Sequence, residues 1–266
     1  MDLGLKGKVA LVCAASQGLG KATATGFAHE GSHVVICSRD KKRLLRTARE
    51  ITRAAGEQKA TVLPVVADLT KARDIRRLVA TAIEKFGRID ILVANAGGPP
   101  VGVFPDLDDS TWSAGITLTL MSTVRCIREV LPHMRERKWG RIITITSMTA
   151  KQPINDLIIS STLRPGILGL SKILASQYAR DGITVNTVAP GYMLTARQVE
   201  ISAVRSAKKG VSLEQYLKEL AQEVPLGRYG EPEELANVIV FLASTKSSYV
   251  NGATITVDGG LIRGLF

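Results

Sequence analysis

The 266-residue chain carries 35 lysines and arginines against 24 acids, a formal charge of +11, with 45% hydrophobic and 22% charged residues. That composition excludes a disordered chain, and the length suits one large α/β domain, residues 1–266. Three cysteines (Cys13, Cys37, Cys126) without a CxxC pair exclude a disulfide scaffold and a cysteine-rich metal site, and no apolar run approaches the ~18–20 residues of a membrane-spanning helix.

The predicted elements alternate short β-branched runs with longer helical patterns, as βαβ units do. Residues 8–13 read as a first strand, apolar without alternation and therefore buried on both faces. A helix over 21–30 closes at Gly31, a second strand covers 33–37, and a second helix runs over 41–55 to Gly56. Strands at 61–66 and 89–94 flank a helix over 72–86. A long helix is expected over 110–137, strands at 141–146 and 183–188, and a helix at 165–179 between them. A helix from Pro232 to about Ala243 precedes a last strand at 254–257. This pattern specifies an α/β fold with an open, doubly wound, mostly parallel sheet of six or seven strands. Residues 196–230 interrupt the rhythm with weakly apolar helical sequence and read as a substrate lid.

The charge is concentrated. Residues 39–53 hold seven basic side chains against two acids, and residues 125–141 six against two. Without an aromatic platform or a nucleic-acid motif, these runs read as solvated helix faces rather than a nucleic-acid surface. The amino terminus lacks the basic-then-apolar order of a secretory signal, so a cytoplasmic location without a membrane partner is expected.

The first strand runs directly into Ala14-Ala15-Ser16-Gln17-Gly18-Leu19-Gly20, with a helix following at once. Glycines here let the backbone turn sharply against a pyrophosphate at the helix N-terminus. The end of the second strand selects the dinucleotide. An acid there would bond the adenosine ribose, whereas this chain places Ser38-Arg39 followed by Lys41, Lys42 and Arg43. An arginine fork suits a 2′-phosphate, so NADP(H) is expected over NAD(H).

With these motifs the chain resembles the short-chain dehydrogenase/reductase superfamily, and within it the 3-oxoacyl-carrier-protein reductase-like group. The matching marks are ordered along the whole chain: Ala15, Ser16, Gln17, Gly18, Leu19 and Gly20, then Asp68-Leu69, Asn95-Ala96-Gly97, residues 140–147, residues 185–191, Asn251-Gly252 and residues 257–260. The resemblance implies a Rossmann-type seven-stranded sheet in the order 3-2-1-4-5-6-7. It implies that Asp68 and Leu69 meet the adenine and that Asn95, Ala96 and Gly97 line the ribose side. The stretch from Pro190 and Gly191 to Thr195 would meet the nicotinamide amide. A homotetramer is also implied, with the helix over 110–137 and the one after it between subunits. The family's first turn glycine is Ala14 here.

The family reduces carbonyls with a serine, a tyrosine, a lysine four residues beyond the tyrosine, and an asparagine on the long helix. Ser147 stands at the serine position, but Ser160 occupies that of the tyrosine, Arg164 that of the lysine and Thr119 that of the asparagine. An aliphatic hydroxyl is a far weaker acid than a phenol, and an arginine does not relay a proton as a lysine can. Ser147, Ser160 and Arg164 together suit stabilisation of an oxyanion. Tyr192, Asp156 and Lys151 are the other candidate proton donors; His29, His33 and His133 form no triad or metal set. The expected activity is NADP(H)-dependent interconversion of a ketone and a secondary alcohol, with a small-molecule substrate that Arg164 would favour if anionic. The alternatives are a cofactor-binding sensor or partner subunit, and non-redox chemistry on the same fold.

Overall fold

A computed structural model describes residues 1–58 and 60–265. Its centre is a seven-stranded parallel sheet in the order β3-β2-β1-β4-β5-β6-β7, the order that the resemblance implied. The strands are β1 (Val9–Val12), β2 (His33–Ser38), β3 (Val62–Val66), β4 (Ile91–Ala94), β5 (Gly140–Ile145), β6 (Ile183–Pro190) and β7 (Thr254–Val257). The helices are α1 (Gly18–His29), α2 (Lys41–Ala55), α3 (Ala72–Phe86), α4 (Asp109–Gly115), α5 (Ser122–Glu136), α6 (Ile158–Tyr178), α7 (Ala196–Lys209), α8 (Leu213–Glu223) and α9 (Pro232–Ala243). Among the described residues no helix is long and apolar enough to cross a membrane.

The unbroken apolar character of β1 has a direct cause. Ala10 and Val12 face a core built with Phe27 of α1, Ile51 of α2 and Ile239 of α9. Val9, Leu11 and Cys13 face a second core with Ile75 and Leu78 of α3 and Ile127 and Val130 of α5. Both faces of the sheet are covered, so neither face of the strand can be polar. Each fully buried large side chain contributes about 1.5–3 kcal/mol. The three thiols lie in this interior: Cys13 Sγ is 3.8 Å from Cys126 Sγ. Contact with neighbouring thiols, together with burial, pushes Cys13 and Cys37 well above the usual thiol range. They stay protonated and unreactive.

Two helices differ from the sequence expectation. The helix expected from Pro165 starts about two turns earlier, at Ile158, and carries Pro165 inside it. Ile159, Leu163 and Ile167 are buried at spacings of four, a helical stripe whose packing outweighs the single hydrogen bond the proline lacks. The helix expected over 110–137 is divided into α4 and α5 by a π-helical turn, Ile116–Met121. Residues 196–230, expected as a lid, carry the helix pair α7 and α8, started by Thr195 and Ser212, whose side chains accept the Gln198 and Gln215 N–H groups. Many of the basic residues are tied to their own chain. Arg125 bonds the Thr70 carbonyl, Arg135 pairs with Asp181, and Arg141 is buried 4.4 Å above the Trp139 ring.

At the N-terminal edge of the sheet, Asp90 is fully buried. It accepts the Val9 N–H at 2.9 Å and pairs with Arg88. At α9, Glu234 accepts two bonds from Arg228, at 2.8 and 2.7 Å, and one from the Glu231 N–H at 2.8 Å. Arg228 chiefly, then that N–H, holds its carboxyl down at about 2. The folded value lies below the unfolded one, so this contact stabilises the fold above pH ~4.5 and is lost as pH falls towards ~2. Urea unfolding midpoints should therefore decline less steeply between those pH values in Glu234→Gln than in the parent, and the difference should shrink at high salt. Parallel declines would contradict the assignment.

Candidate active site

The site lies beyond the carboxyl ends of the strands, where helices and loops leave a cavity of about 820 Å³. The turn after β1 forms one wall. Ala14 adopts φ 48° and Gly18 φ 54°, so the backbone at Ala14 takes the left-handed form that favours glycine, at the position where the resemblance implied one. At Gly20 a Cβ would lie 2.5 Å from the Ala14 carbonyl oxygen and 2.9 Å from Ala15 Cα. Only glycine lets α1 start this close beneath the turn. Thr47 of α2 braces it by donating to the Ser16 carbonyl at 2.8 Å. The α1 N-terminus has no side-chain cap, leaving its N–H groups towards the cavity.

Ser38 and Arg39 line the far end of the cavity with Arg43, which the sequence reading placed among the basic residues that follow them. Arg43 donates to the Gln17 side chain, while Arg39 has no ion pair among the described residues. Asp68 lines the same end. Burial raises its carboxyl, but the Thr70 N–H and hydroxyl, at 3.0 and 2.8 Å, more than offset this and leave it below the usual range. Asn95 donates to the Cys13 carbonyl at 3.3 Å, joining the ends of β4 and β1.

At the other end, Ser147, Ser160 and Arg164 line the cavity together. Ser160 and Arg164 occupy the first turns of α6, and their spacing of four puts both on one helix face. Arg164 Nε donates to Ser160 Oγ at 3.0 Å and Nη1 to the Ile145 carbonyl at 3.3 Å. Ser160 Oγ also lies 2.8 Å from Thr149 Oγ1, and Ser147 Oγ accepts the Thr149 N–H at 3.1 Å. Among the described residues no carboxylate pairs with Arg164; burial lowers its guanidinium to about 10, which leaves it cationic at pH 7.

Of the residues the sequence singled out, Ser16, Gln17, Gly18, Leu19, Gly20, Asn95, Ala96, Gly97, Leu69, Pro190, Gly191 and Thr195 also line this cavity. Two do not. Ala15 is fully buried behind the turn, where its N–H donates to the Cys37 carbonyl. Thr119 lies inside the π-helical turn, which presents its neighbour Leu118 to the cavity instead. The Thr119 hydroxyl is buried without a partner among the described residues. The three alternative donors are placed elsewhere too. The Tyr192 hydroxyl bonds Glu223 at 3.3 Å, and burial together with that carboxylate pushes it up to about 12. Asp156 is held by Arg205 through two bonds of 2.8 and 2.6 Å, and Lys151 does not line the cavity. Sequence reasoning missed Arg197, which lines the mouth and donates to the Pro99 carbonyl at 3.1 Å; nothing local in the sequence marks it.

Comparison with known proteins finds similar chains along nearly the whole length of this one. Residues 13–262 match the family model described as enoyl-(acyl carrier protein) reductase. The chain is 33% identical over 258 residues to the 3-oxoacyl-(acyl-carrier-protein) reductase of Thermotoga maritima, covering 97% of this chain and 99% of that one. L-sorbose reductase of Gluconobacter frateurii, solved with NADPH and L-sorbose, superposes with a TM-score of 0.94 at 35% identity over the whole of both chains. An NADPH-bound short-chain oxidoreductase of Pseudomonas aeruginosa PAO1, described as containing an atypical catalytic centre, superposes at 0.87 with 30% identity over 97% of each chain. On its sheet order, its glycine turn and these matches, the chain belongs to the short-chain dehydrogenase/reductase superfamily of oxidoreductases.

Proposed function

We propose that the chain is an NADP(H)-dependent ketoreductase whose substrate carries an anionic group, and that Ser147, Ser160 and Arg164 act on the carbonyl oxygen. The cofactor fit rests on the Gly20 approach, the uncapped α1 N-terminus and the Arg39 and Arg43 side chains at the cavity's far end. The turn from Ser16 to Gly20 would hold the pyrophosphate, Ser38 and Arg39 the 2′-phosphate, Asp68 and Leu69 the adenine, and residues 190–195 the nicotinamide side. When bound, the dinucleotide supplies the hydride.

The observation that carries the reading is Arg164. A partly buried guanidinium that has no carboxylate partner among the described residues bonds the Ser160 hydroxyl in the wall of the cavity that Ser147 also lines. Such a constellation stabilises negative charge on oxygen and also favours an anionic substrate. It offers no phenol, so the product oxygen takes its proton from water. Residues 196–230 would cover the bound substrate, with Arg205 and Asp156 as their anchor.

The test joins binding to turnover. NADPH should bind more tightly than NADH at physiological salt. NADPH oxidation should then be followed with acetoacetate, acetoacetyl-CoA and the uncharged L-sorbose. Arg164→Ala is expected to lower kcat/KM for the best anionic substrate by about 10- to 100-fold, the effect of losing a hydrogen bond to a charged group. Tight NADPH binding with no turnover would instead favour a sensor, and tighter NADH binding would overturn the cofactor assignment.

A further inference from the structure

Thr149 lies in the short 3-10 turn Met148–Ala150 that follows Ser147, and it is almost wholly buried. Its backbone N–H serves Ser147 Oγ at 3.1 Å, and its hydroxyl lies 2.8 Å from Ser160 Oγ. The direction of that second bond follows from the donors and acceptors present. A guanidinium only donates, so Ser160 Oγ is the acceptor in its 3.0 Å contact with Arg164 Nε. Among the described residues the Thr149 hydroxyl has no hydrogen-bond partner other than Ser160, and a buried O–H without an acceptor is strongly disfavoured. The Thr149 proton therefore goes to Ser160 Oγ. The Ser160 oxygen then accepts twice, and its own proton is left for the cavity, which Ser160 lines and Thr149 does not.

We propose that Thr149 is a positioning residue: it turns the Ser160 hydroxyl outward as a donor to the substrate's reacting oxygen. This assignment rests on the ketoreductase reading for its consequence, though not for its geometry. A hydroxyl that accepts from a cation and from a second hydroxyl is polarised to donate more strongly itself. With the bond reversed, Ser160 would face the substrate oxygen lone pair to lone pair, and the Thr149 proton would be buried unused.

Neutron diffraction from deuterium-exchanged crystals of the full chain reads the orientation directly. The Thr149 deuteron is expected between the two oxygens and the Ser160 deuteron towards the cavity; a Ser160 deuteron directed at Thr149 overturns the proposal. Kinetics on the best carbonyl of the three above give the second readout. Thr149→Val should lower kcat about tenfold with KM nearly unchanged, and Thr149→Ser should restore it. In a Ser160→Ala background, Thr149→Val should cost nothing more. An undiminished loss in that background would show that Thr149 does not act through Ser160. If the parent enzyme turns over no carbonyl, the ketoreductase reading falls, while the neutron map still decides how Thr149 is oriented.

Discussion

Gly20→Val is expected to abolish NADPH binding and to lower Tm by about 3–10 °C, the range for overpacking by 1–3 kcal/mol in a chain of this size. The reason is that the obstacle is backbone. An added Cβ would meet the Ala14 carbonyl oxygen at 2.5 Å and Ala15 Cα at 2.9 Å, neither of which can rotate away. Relief requires α1 to move from the turn, which carries its N–H groups away from the cavity. Isothermal titration and thermal denaturation check the two effects together. NADPH affinity within a fewfold of the parent would show that the turn does not hold the pyrophosphate. Gly18→Ala is the milder control: the nearest atom to a Cβ there is Thr195 Cγ2 at 3.6 Å, so only the left-handed φ of 54° opposes the change.

The second large effect lies at the opposite edge of the sheet and should spare binding. Asp90→Ala is expected to destabilise the fold by about 3–5 kcal/mol, because it strands the buried Val9 N–H and removes the Arg88 partner. Asp90→Asn keeps an oxygen for Val9 and loses only the charge, so it should cost clearly less. Both variants should bind NADPH as the parent does, since Asp90 precedes β4 while the site follows it. Urea unfolding gives the stability difference. Equal losses in the two variants would mean that the ion pair, rather than the β1 amide, carries the effect.

The sheet was legible because β1, β2 and β4 are buried on both faces and can hold little but apolar residues. The glycine turn was legible because a close backbone approach admits few alternatives, and Ser38-Arg39 because its place at a strand end follows from the topology. The first two turns of α6 were not. Pro165 has the character of a helix start, and the stripe of Ile159, Leu163 and Ile167 that overrides it acquires meaning only against the sheet. That misreading left Ser160 and Arg164, which the resemblance had already set four residues apart in one site, without the helix that brings their side chains into contact. The π-helical turn that withdraws Thr119 leaves no mark in composition. Thr149 and Arg197 were invisible for a related reason: each acts through a contact with a distant segment, Thr149 with Ser160 and Arg197 with Pro99.

The placement of the three cysteines gives the molecule an internal clock. Each thiol is sealed within the interior, on β2, on α5 or just beyond β1, so a disulfide reagent in solution meets none of them until the sheet itself parts. Labelling of the native protein should follow the rate of global opening, whereas motion of α7 and α8 alone should go unrecorded.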